Sequence, residues 1–272
     1  MSKQTTLDEL GEFGLISHVT KQFQSQREST VRGIGDDCAV LNKNAQNYTV
    51  VTTDLLMEGI HFDLLFTPLK HLGYKAVTVN LSDIYAMNGI PESITVSIAV
   101  SAKFTVEAIE QLYEGIKLAC DVYNVDLIGG DTSSSVTGLA ISVTAIGTVP
   151  VKQIVYRNTA QINDLICVSG DLGAAYSGLQ VMQREQSVYE QTGGTQPQLE
   201  GYEYVIERYL KPEARKDIID QLCEAKIVPT AMIDISDGLS SELFHICSQS
   251  NVGCHIYEDK IPIHKETSQV VA

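Results

Sequence analysis

Seven aspartates lie in five short stretches whose other residues are mostly small, hydroxylated or glycine: Asp36 and Asp37 in G-I-G-D-D-C-A-V-L, Asp54 in T-T-D, Asp83 in N-L-S-D, Asp131 in G-G-D-T, and Asp234 with Asp237 in D-I-S-D-G-L. Carboxylate oxygens are ligands for hard cations. Magnesium takes a near-octahedral oxygen shell and keeps several waters, so a set of single aspartates suits an ion that is also bridged by phosphate oxygens. The chemistry implied is that of phosphate. A lone G-D-D or S-D-G is ordinarily a solvated turn or a helix N-cap. The set is more telling than its members: apolar runs at residues 48–52, 76–79 and 125–128 precede Asp54, Asp83 and Asp131, and carboxylates at the ends of several strands converge in space.

The elements that must position these groups alternate along the first half of the chain. Residues 48–53 and 93–100 are rich in β-formers, residues 72–87 and 106–123 carry apolar side chains at helical spacing, and 139–149 is again strand-like. Pro150 and the polar residues after it mark a boundary. Beyond it, 165–169 is expected as a new strand, G-D-L-G-A-A-Y-S-G-L opens a helix, Lys211-Pro212 starts another, and 232–235 forms a short strand leading to Asp234 and Asp237. Residues 183–202, rich in Gln, Glu and Gly, are expected as an exposed excursion. The resulting expectation is an α/β (α+β) protein with two domains, 1–150 and 151–272.

Composition bounds the partners. With 19 Lys and Arg against 34 Asp and Glu, the formal charge of −15 argues against a nucleic-acid groove, and a polyanion would have to be held through metal. The N-terminal residues carry no signal-peptide pattern, and no run of about 18 apolar residues occurs, which leaves no membrane span and an expected cytoplasmic location. Six cysteines without a C-x-x-C pair read as buried thiols in a reducing compartment, Cys38 beside the Asp pair among them.

The ordered strings G-I-G-D-D-C-A-V-L, T-T-D-x-L-x-x-G-x-H-F, Y-K-A-V-x-V-N-L-S-D-I-x-A-M, L-I-G-G-D-T, R-N-T-A-Q-I-N-D and I-D-I-S-D-G-L strongly resemble the thiamine-monophosphate kinase family, over residues 11 to about 262. That family shares its superfamily with aminoimidazole ribonucleotide synthetase, selenophosphate synthetase and a hydrogenase maturation factor. The resemblance implies the two-domain ATP-binding fold of the aminoimidazole ribonucleotide synthetase type, with N-terminal domains pairing into an interface β-barrel and hence a homodimer. It implies ATP and thiamine monophosphate as partners, several Mg²⁺ ions, and Asp37, Thr52, Thr53, Asp54, Asp83, Asp131, Asp234 and Asp237 as their ligands. It further implies that His61 contacts the thiamine phosphate and that Gly130, Arg157 and Ser236 contact ATP.

Each transfer has a physical warrant and a plainer rival. Arg157 offers a fork of donors matched to phosphate, against a surface ion pair. His61 could equally be a satisfied core histidine, Gly129-Gly130 simply a turn, and Tyr113 a core aromatic rather than a neighbour of adenine. The reaction implied is direct transfer of the γ-phosphoryl group of ATP to thiamine monophosphate in thiamine diphosphate biosynthesis. The acceptor phosphate is already anionic, so charge rather than proton transfer is the obstacle. The rivals are another ATP-dependent synthetase of the superfamily and a non-catalytic Mg-nucleotide-binding protein. The family's G-G-E-D-Y-E string and a later aromatic do not occur in these residues, so strong Mg-ATP binding with weak thiamine monophosphate binding is expected.

Overall fold

In a computed structural model the protein is described at residues 7–194 and 196–271. Its first half is built on one six-stranded sheet. After helix α1 (Leu7–Thr20) come β1 (Thr30–Arg32), β2 (Ala39–Asn42), β3 (Asn47–Met57), helix α2 (Leu69–Ala86), β4 (Ile90–Val100), helix α3 (Val106–Tyr123), β5 (Asp126–Ser134) and β6 (Ala140–Pro150). Spatial order is β1-β2-β3-β6-β4-β5, antiparallel except for the β4–β5 pair. The sheet is open within one chain.

Alternation fixes which face is covered. In β6 the residues Ile141, Val143, Ala145 and Val149 are buried while their neighbours are half-buried, and β4 does the same with Ile94, Val96 and Ile98. This face receives α2 and α3, whose Leu72, Val77, Leu81, Ile84, Leu112 and Ile116 complete the core. The two helices touch backbone to backbone: a Cβ added at Gly115 would stand 1.9 Å from the Lys70 carbonyl oxygen. Helix α3 starts on Thr105, whose side chain accepts the Ala108 N–H, and ends on Asn124 in the left-handed region. The other face of the sheet, with Thr53, Leu55 and Met57 exposed, has no covering layer among the described residues.

The second half is helical: α4 (Ala174–Thr192), α5 (Glu203–Leu210), α6 (Lys216–Ala225), α7 (Leu239–Ser250) and α8 (Lys265–Val271), with a 3-10 turn at Glu258–Lys260. Two expectations fail here. Residues 165–169 and 232–235 form no strand: Leu165 is 89% exposed, and the second segment makes a single backbone hydrogen bond, from the Met232 N–H to the Tyr156 carbonyl, rather than a ladder. Residues 183–192 are not an excursion but the end of α4, and the polar loop is confined to the connection between α4 and α5. Asp54, Asp83 and Asp131 also differ from the expected strand-end loops: they lie inside β3, α2 and β5.

The two halves are joined by a polar clamp. The hydroxyls of Tyr74 on α2 and Tyr123 on α3 donate to Glu213 at 2.8 and 2.7 Å, Lys211 pairs with the same carboxylate at 2.9 Å, and the Ala214 N–H reaches the Tyr123 oxygen. Ala214 and Ile219 belong to the main core, so α6 is packed against the sheet domain. Among the described residues no helix is long and apolar enough to cross a membrane. All six thiols are free, but only Cys38 is fully buried; Cys167, Cys223 and Cys254 are exposed, contrary to the expectation of buried thiols throughout.

Candidate active site

Helix α2 and strand β3 are pinned together by polar rungs, and the site grows from them. Thr52 donates its hydroxyl to Asp83 at 2.5 Å, and the Asp54 N–H donates to the Asn80 side-chain oxygen at 3.0 Å. The Asn80 amide in turn donates to the Ala76 carbonyl, which sets its orientation. One turn of helix thus aims Asn80 and Asp83 at a strand that offers Thr52 and Asp54 on the same face. Ser82, next to Asp83, donates at 2.8 Å to Asp234, so the loop before α7 is drawn onto α2. That loop is held by Glu242, buried in the first turn of α7, which accepts the N–H groups of Asp237 and Gly238.

Asp37 completes the arrangement from the turn before β2. Oxygens of Asp37, Asp83 and Asp234 lie within 4.8 Å of one another. Burial, then the charge of Asp234 and of Asp54, pushes the Asp83 pKa well above the usual carboxylate range; burial and the charge of Asp37 push Asp234 up as well. Asp54, beside the trio, is raised by burial and partly relieved by His61. Such a group cannot carry all its charges without a cation.

Arginines supply part of that charge. Arg157 donates a short hydrogen bond to Asp37 and stands 3.9 Å from Asp36, while Arg32 pairs with Asp36 at 2.9 Å and lies over the Tyr156 ring. Even so, the second oxygen of Asp37 is buried with no hydrogen-bond partner. A buried orphan oxygen, converging with two other carboxylates at metal-ligand spacing, is what a hard cation would satisfy.

Not every expected ligand is in this group. Thr53 points to the open face, bonding the Val143 carbonyl and Thr144. Asp237 and Ser236 are exposed beyond Asp234. Asp131 shares a row with Ser97, Ser142 and Leu55, which puts it on the open face of the sheet, three strands or roughly 14 Å from β3. Gly130 has a packing reason to be glycine: a Cβ there would meet the Val96 carbonyl oxygen at 1.9 Å. Tyr113 lines an apolar cavity of about 330 Å³ with Val100, Phe104 and Ile109. His61 is exposed at the end of β3, with Nδ1 accepting the Met57 N–H at 2.9 Å.

Comparisons with known proteins bear on the family and the fold. Residues 35–149 match the family described as AIR synthase related protein, N-terminal domain. Thiamine-monophosphate kinase of Bacillus subtilis is 37% identical over 259 residues, 94% of this chain and 76% of that protein; the Aquifex aeolicus one is 34% identical, with 96% and 78% covered. This chain belongs to the thiamine-monophosphate kinase family. A solved structure of a family member, AaThiL complexed with AMPPCP and TMP, superposes with a TM-score of 0.86 at 32% identity, covering 99% of this chain and 80% of that one.

Within the family frame, the site also uses four groups that none of the aspartate strings singles out: Asn80, Ser82, Arg32 and Glu242. The first two stand inside N-L-S-D, and the helical period running through residues 72–87 already places Asn80 and Asp83 three apart on one face. Glu242 follows S-D-G at a capping distance. Arg32 has no sequence signal beyond its nearness to the Asp pair.

Proposed function

We infer that this chain transfers the terminal phosphoryl group of ATP to the phosphate of thiamine monophosphate, giving thiamine diphosphate and ADP. The observation that carries the reading is the converging trio of buried Asp37 and half-buried Asp83 and Asp234, with the orphan oxygen of Asp37, in a chain of this family. Asp37, Asp83 and Asp234 would hold magnesium, with Asp54 and the Thr52 hydroxyl beside them. Magnesium, when bound, neutralises phosphate charge and aligns the attacking and leaving oxygens. The chain's own residues position the reactants: Ser82 and Thr52 orient the carboxylates, Glu242 fixes the Asp234 loop, and Arg157 presents donors to a phosphate once Asp37 turns to a cation.

Several finer parts belong to the same proposal. Thr53, Asp131 and Asp237 as ligands, Gly130 and Ser236 as ATP contacts, and Tyr113 near the adenine are not assembled around the trio in one chain. A homodimer joined through the open sheet faces into a barrel belongs to the same reading; what supports it is that Asp131, Leu55 and Met57 all stand on that face and the edge strand β5 is exposed throughout. We place the domain division after Pro150, where the sheet ends, and the protein in the cytoplasm, which suits free, exposed thiols.

The test is turnover: thiamine diphosphate and ADP should form together from Mg-ATP and thiamine monophosphate and stop on adding EDTA. ATP binding of equal strength with and without chelator contradicts the metal assignment. A monomeric mass by light scattering at micromolar concentration contradicts the dimer.

A further inference from the structure

Helix α2 carries a second polar feature, outside the carboxylate trio. Lys75 is half-buried with its ammonium 4.7 Å from the centre of the Tyr209 ring on α5. Lys43, Lys70, Lys117 and Lys211 each hold a carboxylate; Lys75 holds none among the described residues. Burial draws its pKa down, the mark of an ammonium short of counter-charge. Beside it another polar atom is also unmet. Nδ1 of His71, one turn before Lys75, is buried without a hydrogen-bond partner, and the buried Thr67 hydroxyl lies against the hydroxyl of Tyr209. Phe66 and Tyr209, ring centres 6.2 Å apart, form the apolar wall of the same bay. A half-buried ammonium with no carboxylate, one turn from an unmet imidazole nitrogen, indicates a missing polar occupant.

The position of the bay along the site says which occupant. Helix α2 runs back along β3, pinned at Thr52–Asp83 and Asp54–Asn80. Moving from the trio toward residues 58–67, the next polar groups are His61 at the end of β3 and Lys75 on α2. Because Nδ1 of His61 accepts the Met57 N–H, the neutral ring carries its proton on Nε2, as a donor. Lys75 lies on the same helical stripe as Ser82, which holds Asp234, at a separation of roughly 10 Å. That gap is of the order of a phosphate with an ion on one side and a lysine side chain on the other. The thiazolium of the acceptor is cationic, so an ammonium attracts only its phosphate end.

We propose that Lys75, with the Thr67 hydroxyl, binds the phosphate of thiamine monophosphate in the bay between residues 58–67 and α5. This deepens the kinase reading and rests on it. The test is steady-state kinetics of the full chain with Lys75→Met, which keeps length and removes charge. KM for thiamine monophosphate should rise by at least about tenfold while KM for ATP stays within about twofold. Inhibition by thiamine, which lacks the phosphate, should be unchanged, and Lys75→Arg should keep most of the affinity. An unchanged KM for thiamine monophosphate, or equal weakening toward ATP, thiamine and thiamine monophosphate, overturns the proposal. Should Lys75→Met not fold, Thr67→Val decides by the same split: a selective rise supports the bay and no rise refutes it. A wild-type chain that makes no thiamine diphosphate removes the kinase reading and this proposal together; an active wild type with an indifferent Lys75→Met removes this proposal alone.

Discussion

The two halves of this chain meet the same physical demand in different ways. Up to Pro150 the strand-like runs at 48–53, 93–100 and 139–149 find ladder partners, and the sheet buries its alternating residues under α2 and α3. After Pro150 comparable runs at 165–169 and 232–235 join no ladder: Leu165 and Ile166 face solvent, and Met232 makes one backbone hydrogen bond to Tyr156. The second half packs instead through helices and a small apolar cluster around Ala174, Val181 and Val205. Apolar β-rich composition is thus a necessary but not sufficient condition for a strand; pairing decides. The active-site trio straddles this contrast, with Asp37 and Asp83 in the sheet half and Asp234 on a loop that Ser82, Glu242 and the Met232–Tyr156 backbone bond hold in place.

The largest effect expected from this comparison is on turnover. Asp83→Asn keeps the shape and the Thr52 contact but deletes the charge that both halves converge on, so phosphoryl transfer should fall at least about a hundredfold, nearly 3 kcal/mol in barrier. The metal-free protein should melt at a higher temperature near neutral pH, because the variant no longer carries a carboxyl whose raised pKa costs folding free energy there. Activity within about threefold of wild type would show that the trio is not where catalysis is organised.

Next in size is the packing of the sheet half. Gly115→Ala places a methyl 1.9 Å from the Lys70 carbonyl oxygen and forces α2 and α3 apart. Overpacking of about 3 kcal/mol, less about 1 for the better helix former, leaves a net loss near 2 kcal/mol in urea unfolding. A neutral result would mean that the first half is as yielding as the second.

Smaller shifts with pH should carry opposite signs at the two contacts between the halves. Asp83 and Asp234 have folded pKa values raised above the unfolded ones, so their contribution to metal-free stability is present at acid pH and lost as pH rises through the raised values. Magnesium binding releases those protons and should weaken on acidification. Glu213 behaves in reverse: burial tends to raise it, but hydrogen bonds from Tyr123, Lys211 and Tyr74 hold it below the ordinary 4.5, so its stabilisation is lost as pH falls below that value. Melting temperature against pH should show a gain toward mild acid that Asp83→Asn removes, and a fall at lower pH that Glu213→Gln removes. A wild-type profile without the mild-acid gain would place the trio's charges in solvent.

The smallest effect belongs to the exposed runs. Leu165→Ser, at a position 89% exposed, should change stability by less than about 0.5 kcal/mol. A larger loss would reveal packing at 165–169 in solution and erase the contrast between the halves.

Much of the first half is legible in the sequence because periodicity and burial coincide there. The helical spacing of residues 106–123 matches α3, and the strand-like runs 93–100 and 139–149 fall within or nearly within β4 and β6. The short β1 and β2 leave no such trace, since three or four residues give no period, and β5 is hidden by Gly129-Gly130-Asp131, which reads as a turn. At the site, the aspartate strings are visible in sequence, but their faces are not. Asp54 and Asp131 look alike, yet register puts them on opposite sides of the sheet. Arg157 carries the donors expected of a phosphate ligand, and in the structure those donors are turned to Asp37. The strands expected after Pro150 fail for a reason no local signal contains, the lack of a ladder.

The central claim is that the trio joining the two halves organises transfer from ATP to the acceptor's phosphate. Its most direct test measures both products at once in wild type and Asp83→Asn with Mg-ATP, with and without thiamine monophosphate. The account predicts equal amounts of ADP and thiamine diphosphate from the wild type, only when acceptor and Mg²⁺ are both present, and almost none from the variant. ADP release without thiamine diphosphate, or a variant as productive as the wild type, would contradict it.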